Sequence, residues 1–206
     1  MPNLVSDTAR AQNKLMQGTH SASGEVMDYS YYDSQSLLST ALEHRFFTQG
    51  VGKPFTVAAV GNKSLADSNV KSDGIPNGQR FTVKAIKLFY WCHALAANAI
   101  IQNIIDLYYR TVIQFKIDGK DDVLTLTLQE LAGLNFSVIN VPTVAGDQIG
   151  THQTNIIRSA YPLNVPIVLA SLTRYEIVMT HTAAPAAGLD TDRIKISLQG
   201  LLERLS

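Results

Sequence analysis

The side chains most often used for metal binding and nucleophilic catalysis are few and scattered in this sequence. No two histidines have the spacing of a metal-binding motif. They are His20, His44, His93, His152 and His181. Cys92 and His93 are adjacent, but neighbouring residues of a strand point to opposite faces, so they are poorly placed to act as a nucleophile and its base. We interpret them as a packed core thiol and an exposed histidine.

Other groupings favour turns and solvated surface over chemistry. Asp118, Asp121 and Asp122 could contribute oxygens to a Ca²⁺ site, but such a site needs about six ligands, and turn formation explains them more simply. The sequence also lacks the glycine-rich phosphate loops and the Gly-x-Ser-x-Gly nucleophile motif. We therefore predict a protein that is not an enzyme and that has no cofactor and no metal site.

Charge is low and balanced across the chain. Of the 206 residues, 17% are charged and 46% are hydrophobic, and the net charge is zero. A charged fraction below the usual figure of about 25% is typical of a protein that covers surface with other chains, although an ordinary neutral domain fits equally well. Arg80, Lys84 and Lys87 do not all share one strand face, so we predict no specific nucleic-acid binding.

Compartment and membrane signals are weak. Cys92 is the only cysteine, so no intramolecular disulfide can form. The first residues lack the pattern of a signal peptide, and the longest apolar stretch, residues 94–105, is too short and too polar to span a bilayer. We expect a soluble protein that is made in a cytoplasm.

The elements that would position any site are mostly strands. Thr111–Ile117 and Val123–Leu128 form a hairpin across Asp118-Gly119, because a tight turn places residues with little steric penalty at positive φ. The alternation in Leu124-Thr-Leu-Thr-Leu128 predicts that the leucines face inward and the threonines outward. Further strands are predicted over residues 44–48, 55–60, 80–91, 156–157, 165–172, 174–181 and 193–202.

Two stretches break the strand pattern. A helix is predicted from Ala94 to Tyr108, where alanine and leucine are frequent and apolar residues form a stripe. Leu131–Gly150 reads as a loop with at most one short strand. In the strand over residues 80–91, Phe81 and Val83 are predicted on one face and Ile86 on the other. About eight strands with one inserted helix indicate an all-β, antiparallel sandwich.

Residues 1–36 differ from the rest, since they are polar and poor in aliphatic side chains. We predict an N-terminal arm over 1–36, with a short helix at Asp7–Met16, and a β-sandwich domain over 37–206. The arm is either a loose tail or a segment that orders on a neighbouring subunit. Tyrosines give contact area at low entropic cost, and the candidates for subunit contact are Tyr29, Tyr31 and Tyr32.

Four segments carry a resemblance to a known family. They are Arg45-Phe-Phe-Thr48, Leu65-Ala-Asp-Ser-Asn69, Gly74–Val83 and Ile194–Arg204. Their order resembles single jelly-roll capsid proteins of tailless icosahedral bacteriophages. The resemblance implies an eight-stranded antiparallel jelly roll with one inserted helix and an N-terminal arm, which forms or decorates a capsid as a homo-oligomer. Its partners would be copies of itself and other coat proteins, contact with an internal lipid layer is allowed, and the location would be the virion.

Two other classes stay open. A β-sandwich that binds carbohydrate or a receptor would use aromatic loop residues, for which Tyr161 and the cluster at residues 29–32 are the candidates. An enzyme of the cupin kind would need histidines clustered on strands, and the histidines are scattered in sequence.

Overall fold

The computed structural model describes residues 25–55, 61–71, 74–91, 106–132, 134–140, 150–156, 160–186, 189–190 and 192–204. These residues form ten strands and a few short helical turns. The strands are β1 (Glu25–Ser36), β2 (Glu43–Phe46), β3 (Gln79–Trp91), β4 (Thr111–Ile117), β5 (Lys120–Thr127), β6 (Leu134–Asn140), β7 (Gly150–Ile156), β8 (Tyr161–Leu169), β9 (Tyr175–His181) and β10 (Arg193–Arg204). Helix α1 covers Leu128–Ala132, and residues 106–109 are also helical.

Strand pairing follows a nested pattern centred on the β4–β5 hairpin. From the hairpin outward, β4 pairs with β5, β3 with β8, β2 with β9 and β1 with β10, all antiparallel. These nested pairs form one long two-stranded ribbon. The ribbon folds back on itself, and this brings β10 beside β3 and β9 beside β4 as further antiparallel pairs. The result is two four-stranded sheets, in the orders β1-β10-β3-β8 and β2-β9-β4-β5. The predicted antiparallel jelly-roll sandwich is therefore confirmed, and β6–β7 is an additional hairpin between β5 and β8.

The predicted turn between β4 and β5 is present. Asp118 and Gly119 have φ values of 50° and 70°, as a type I′ turn requires. The leucine alternation in β5 is also confirmed, since Leu126 is buried and Thr125 is exposed.

The core lies between the sheets, and a bulge in β3 sets its inner face. Val83 pairs with Gly200 and Ala85 pairs with Gln199, so Lys84 is an extra residue in β3. The extra residue shifts the alternation by one, and Phe81, Val83 and Ile86 are all buried. The prediction that Ile86 lies on the face opposite to Phe81 and Val83 is thus wrong.

Residues 25–36 are part of the sandwich. They form β1, which pairs with β10 along twelve residues, from Glu25↔Arg204 to Ser36↔Arg193. The predicted boundary after residue 36 therefore needs correction, because the last third of the predicted arm is a strand of the sheet. The polar composition was misleading because Asp33 and Ser34 are buried with hydrogen-bond partners: Asp33 accepts from Lys63 Nζ at 2.8 Å, and Ser34 donates to the Asp67 carbonyl at 2.8 Å.

Several other predictions concern residues outside the described ranges. These are the helix at Asp7–Met16, the strand over residues 56–60, and residues 94–105 of the predicted helix. Of that predicted helix only residues 106–108 are described; they are helical, and Leu107 and Tyr108 are buried.

The stretch after β5 contains a short helix that the sequence analysis did not predict. Helix α1 begins with a capping box, in which Glu130 accepts from the Thr127 amide at 2.8 Å and Thr127 Oγ1 accepts from the Glu130 amide at 3.2 Å. Strand β6 then follows, and it is the one short strand that the prediction allowed in this range.

Candidate functional site

A buried ion pair joins β1 to the loop over residues 61–71. Lys63 Nζ lies 2.7 Å from Asp33 Oδ1 and 2.8 Å from Oδ2, and both side chains are fully buried. Asp33 also accepts from the Phe47 amide at 2.7 Å, and Lys63 donates to the Gln49 carbonyl at 3.2 Å. Burial raises the pKa of Asp33 and lowers the pKa of Lys63, and their mutual attraction opposes both shifts.

The surface beside this pair is a cleft of about 280 Å³. It is lined by Ser34, Ala66, Asp67, Phe89, Arg193 and Lys195. Arg193 pairs with Asp67 at 2.7 Å. Burial would raise the pKa of Asp67, but hydrogen bonds from Ser64 and the charges of Arg193 and Lys195 lower it. Phe89 is 44% exposed, and this leaves an aromatic face beside cationic side chains.

The three predicted contact tyrosines occupy different environments. Tyr31 is buried in its own sandwich, where its ring packs edge-on against Phe81 with 5.0 Å between centroids. Burial raises the pKa of Tyr31 to about 12. Its ring is therefore committed to the core, which corrects its assignment as a subunit contact. Tyr29 and Tyr32 are half-buried, and the Tyr32 hydroxyl donates to the Leu65 carbonyl at 2.7 Å.

Sequence reasoning missed a pair of histidines that the fold brings together. His44 on β2 and His181 on β9 are 137 residues apart in sequence, and their rings are joined by a 3.1 Å hydrogen bond between His44 Nδ1 and His181 Nε2. Both are buried. Spacing within the sequence holds no signal for this pair, because it arises from the nested pairing of β2 with β9.

The tautomers of the histidine pair follow from its hydrogen bonds. Thr111 Oγ1 donates to the Leu107 carbonyl, which can only accept. Thr111 Oγ1 therefore accepts from His181 Nδ1 at 2.7 Å, and His181 Nε2 accepts from His44 Nδ1. His44 Nε2 keeps a lone pair, and no partner for it lies among the described residues. Because its proton is committed to Leu107, the Thr111 hydroxyl is not arranged as a nucleophile with His181 as base.

Loss of stability in mild acid is the expected consequence of this pair. Burial lowers the pKa of His44 to about 3, with a smaller effect of His181, and burial lowers the pKa of His181 to about 4. In the unfolded chain both would titrate near 6.5, so between pH 6.5 and about 4 the unfolded state binds more protons. The free energy of unfolding should therefore decrease as the pH is lowered, by about 2 kcal/mol per histidine from pH 8 to pH 5.

Urea denaturation at a series of pH values measures this effect. The variant with both His44→Gln and His181→Gln is less stable at pH 8, but its loss between pH 8 and pH 5 should be smaller by about 4 kcal/mol. An unchanged pH dependence in the double variant would contradict the assignment of the acid sensitivity to this pair.

The described ranges hold neither a cluster of metal-binding side chains nor a membrane-spanning helix. Within the described ranges, three or more histidine, cysteine, aspartate or glutamate side chains do not come together in a way that could hold a metal ion. The helical segments of the same ranges are also too short or too polar to cross a membrane.

Comparison with known proteins gives no relative for this chain. No family model, no curated protein and no solved structure matches it.

Proposed function

We propose that this chain is a structural virion protein, which assembles with copies of itself into an icosahedral phage capsid or decorates one. The observation that carries the proposal is the strand order, β1-β10-β3-β8 against β2-β9-β4-β5. Eight strands in two such sheets form the jelly roll that viral coat proteins share with lectins and cupins. Other coat proteins are proposed as further partners, the virion as the location, and an internal lipid layer as a surface that the shell could contact.

The polar chemistry of the sandwich favours a structural role over a cupin-like enzyme. A cupin site needs several histidines that converge on an accessible metal. Here His44 and His181 are both buried and are hydrogen-bonded to each other, and His181 is also hydrogen-bonded to Thr111.

The edges of the first sheet favour contact through side chains over strand addition. On β1, the Asn69 side chain accepts from the Tyr32 amide at 2.8 Å and donates to the Ser30 carbonyl at 2.7 Å, so part of this edge is already satisfied. On β8, Pro162 and Pro166 have no amide hydrogen to donate. Both devices discourage open-ended strand pairing, and they suit an assembly of defined geometry.

Apolar side chains on β8 and in the turn after it are available for such contacts. Val165 is 79% exposed, Val168 is 53% exposed and Leu172 is 68% exposed. Covering them with a second copy would remove apolar surface from water, and the low charged fraction of the chain lessens the cost of bringing copies together.

Sedimentation and electron microscopy of the purified full chain, over a range of concentrations, test the proposal. We expect discrete assemblies, which Val165→Lys combined with Leu172→Lys should abolish without changing the melting temperature by more than a few degrees. Thr125→Lys, at an exposed position of the other sheet, is the matched control. A chain that stays monomeric at high concentration, and that never enters particles with other coat proteins, would contradict the proposal.

A carbohydrate- or receptor-binding module is the alternative, and the cleft beside Phe89 is the observation that favours it. The predicted contact residue Tyr161 packs partly against the core, so Phe89 is the better candidate. A reproducible hit on a glycan array that Phe89→Ala removes, from a chain that does not assemble, would support the module.

A further inference from the structure

The buried pair of Asp33 and Lys63 has the components of a covalent cross-link. The amine nitrogen touches both carboxyl oxygens, at 2.7 and 2.8 Å, and neither side chain is exposed to water. We propose that Lys63 and Asp33 condense into an isopeptide bond, which ties β1 to the loop over residues 61–71. The proposal concerns the folded chain alone and is independent of the proposed role in a capsid.

Burial prepares the two groups for this reaction. An amine attacks a carbonyl carbon only as the neutral base, and a carboxyl group is a far better acceptor when protonated. Burial raises the pKa of Asp33 and lowers that of Lys63, so it lowers the cost of moving a proton from Nζ to Oδ1 along their 2.7 Å hydrogen bond. The Phe55 ring, 5.7 Å from Nζ, adds to the apolar surroundings of the pair.

The proposed reaction needs no oxidant or other reactant. The Nζ lone pair attacks Cγ of protonated Asp33 and forms the N–C bond, while the C–O π electrons move to Oδ2. The nitrogen then gives a second proton to the Oδ1 hydroxyl, the Cγ–Oδ1 bond breaks, and one water leaves. The product is a neutral secondary amide, which removes two charged groups from the core.

The reaction places negative charge on Asp33 Oδ2, and the backbone amide of Phe47 is a hydrogen-bond donor to this oxygen. The Phe47 amide donates to Asp33 Oδ2 at 2.7 Å, so it is placed to stabilise negative charge on that oxygen. Phe47 holds a φ of 68°, which is rare for a bulky residue and marks a backbone turned against its preference. The turn directly follows β2, and it aims the amide at the carboxyl group.

The position of the Lys63 amine is also restricted by a hydrogen bond to the backbone. The Gln49 carbonyl accepts from Nζ at 3.2 Å and holds the amine beside Asp33. Two groups fixed in contact react with a very high effective concentration, which offsets the unfavourable equilibrium of amide formation in water. The bond would also prevent β1 from detaching from its own sandwich.

Intact mass spectrometry of the purified full chain tests the proposal, followed by peptide mapping. We expect the chain to be lighter than its sequence mass by one water, and a branched peptide should link the segments that contain Asp33 and Lys63. Lys63→Arg should restore the full mass, because a guanidinium stays protonated and does not attack. Lys53→Arg, at an exposed position nearby, should still lack one water.

Two outcomes would overturn the proposal. A wild-type chain at its full sequence mass would show that the pair is an ion pair only. A missing water that maps to Asp118-Gly119 as a succinimide would also refute the cross-link, and hydroxylamine separates the two cases because it opens a succinimide and leaves an isopeptide bond intact. If Lys63→Arg fails to fold, the mapped wild-type peptide still decides the question.

Discussion

Deletion of residues 2–36 is expected to abolish folding of the chain. The deletion removes β1 and with it Tyr31, which packs against Phe81 in the core. It also leaves Lys63 buried without its carboxylate, and an unpaired buried charge alone costs about 3–5 kcal/mol. Since a domain of this size is stable by about 5–15 kcal/mol, the sum of these losses should leave no folded sandwich.

Circular dichroism and thermal denaturation of the truncated chain measure this result. Deletion of residues 2–24 is the matched control, because it leaves the sequence of every described strand intact. We expect the control to melt cooperatively and the longer deletion to show no transition. A cooperative transition in the chain without residues 2–36 would mean that β1 is dispensable and that the sheet closes without it.

A methyl group at Gly200 is expected to destabilise the protein by at least about 3 kcal/mol, at the upper end of what overpacking costs. Gly200 lies on β10 beside the bulge of β3, and a Cβ built on it would lie only 1.9 Å from the Thr82 carbonyl oxygen. That oxygen belongs to the backbone of a central strand, so Gly200→Ala can be accommodated only if β3 and β10 move apart.

Urea denaturation of Gly200→Ala measures the loss. Gly119→Ala is the control, because a Cβ there meets no atom within 4 Å and the residue has a φ of 70°. That control should cost about 1 kcal/mol, from backbone conformation alone. If the two variants lose equal stability, the close approach of β3 to β10 at Gly200 is not a constraint on the sequence.

The sequence predicted correctly the turn and the strand face whose structure depends only on neighbouring residues. The turn at Asp118-Gly119 was predictable because positive φ favours those residue types, and the inward face of β5 followed from alternation. The pattern also indicated an all-β antiparallel sandwich of about eight strands, and the two four-stranded sheets confirm it.

The misses share a physical cause. The strand β1 was assigned to an arm because its sequence is polar, yet Asp33 and Ser34 are buried with partners from the loop over residues 61–71. The face of Ile86 was predicted wrongly because a bulge depends on the partner strand, and here the partner is Gly200 of β10. Each error concerns a residue whose environment is set by a distant segment.

The sequence by itself determined the class of the fold, the central hairpin and the alternation of its core residues, because turn preference and strand period act over a few neighbouring residues. Only the tertiary structure decided which polar residues meet. Lys63 reaches Asp33 and His44 reaches His181 because the nested pairing of a jelly roll brings distant segments side by side. Such pairs leave no recognisable motif in the sequence. The number of residues between the partners depends on which distant segments lie side by side in the fold, and not on the two-residue period of any strand.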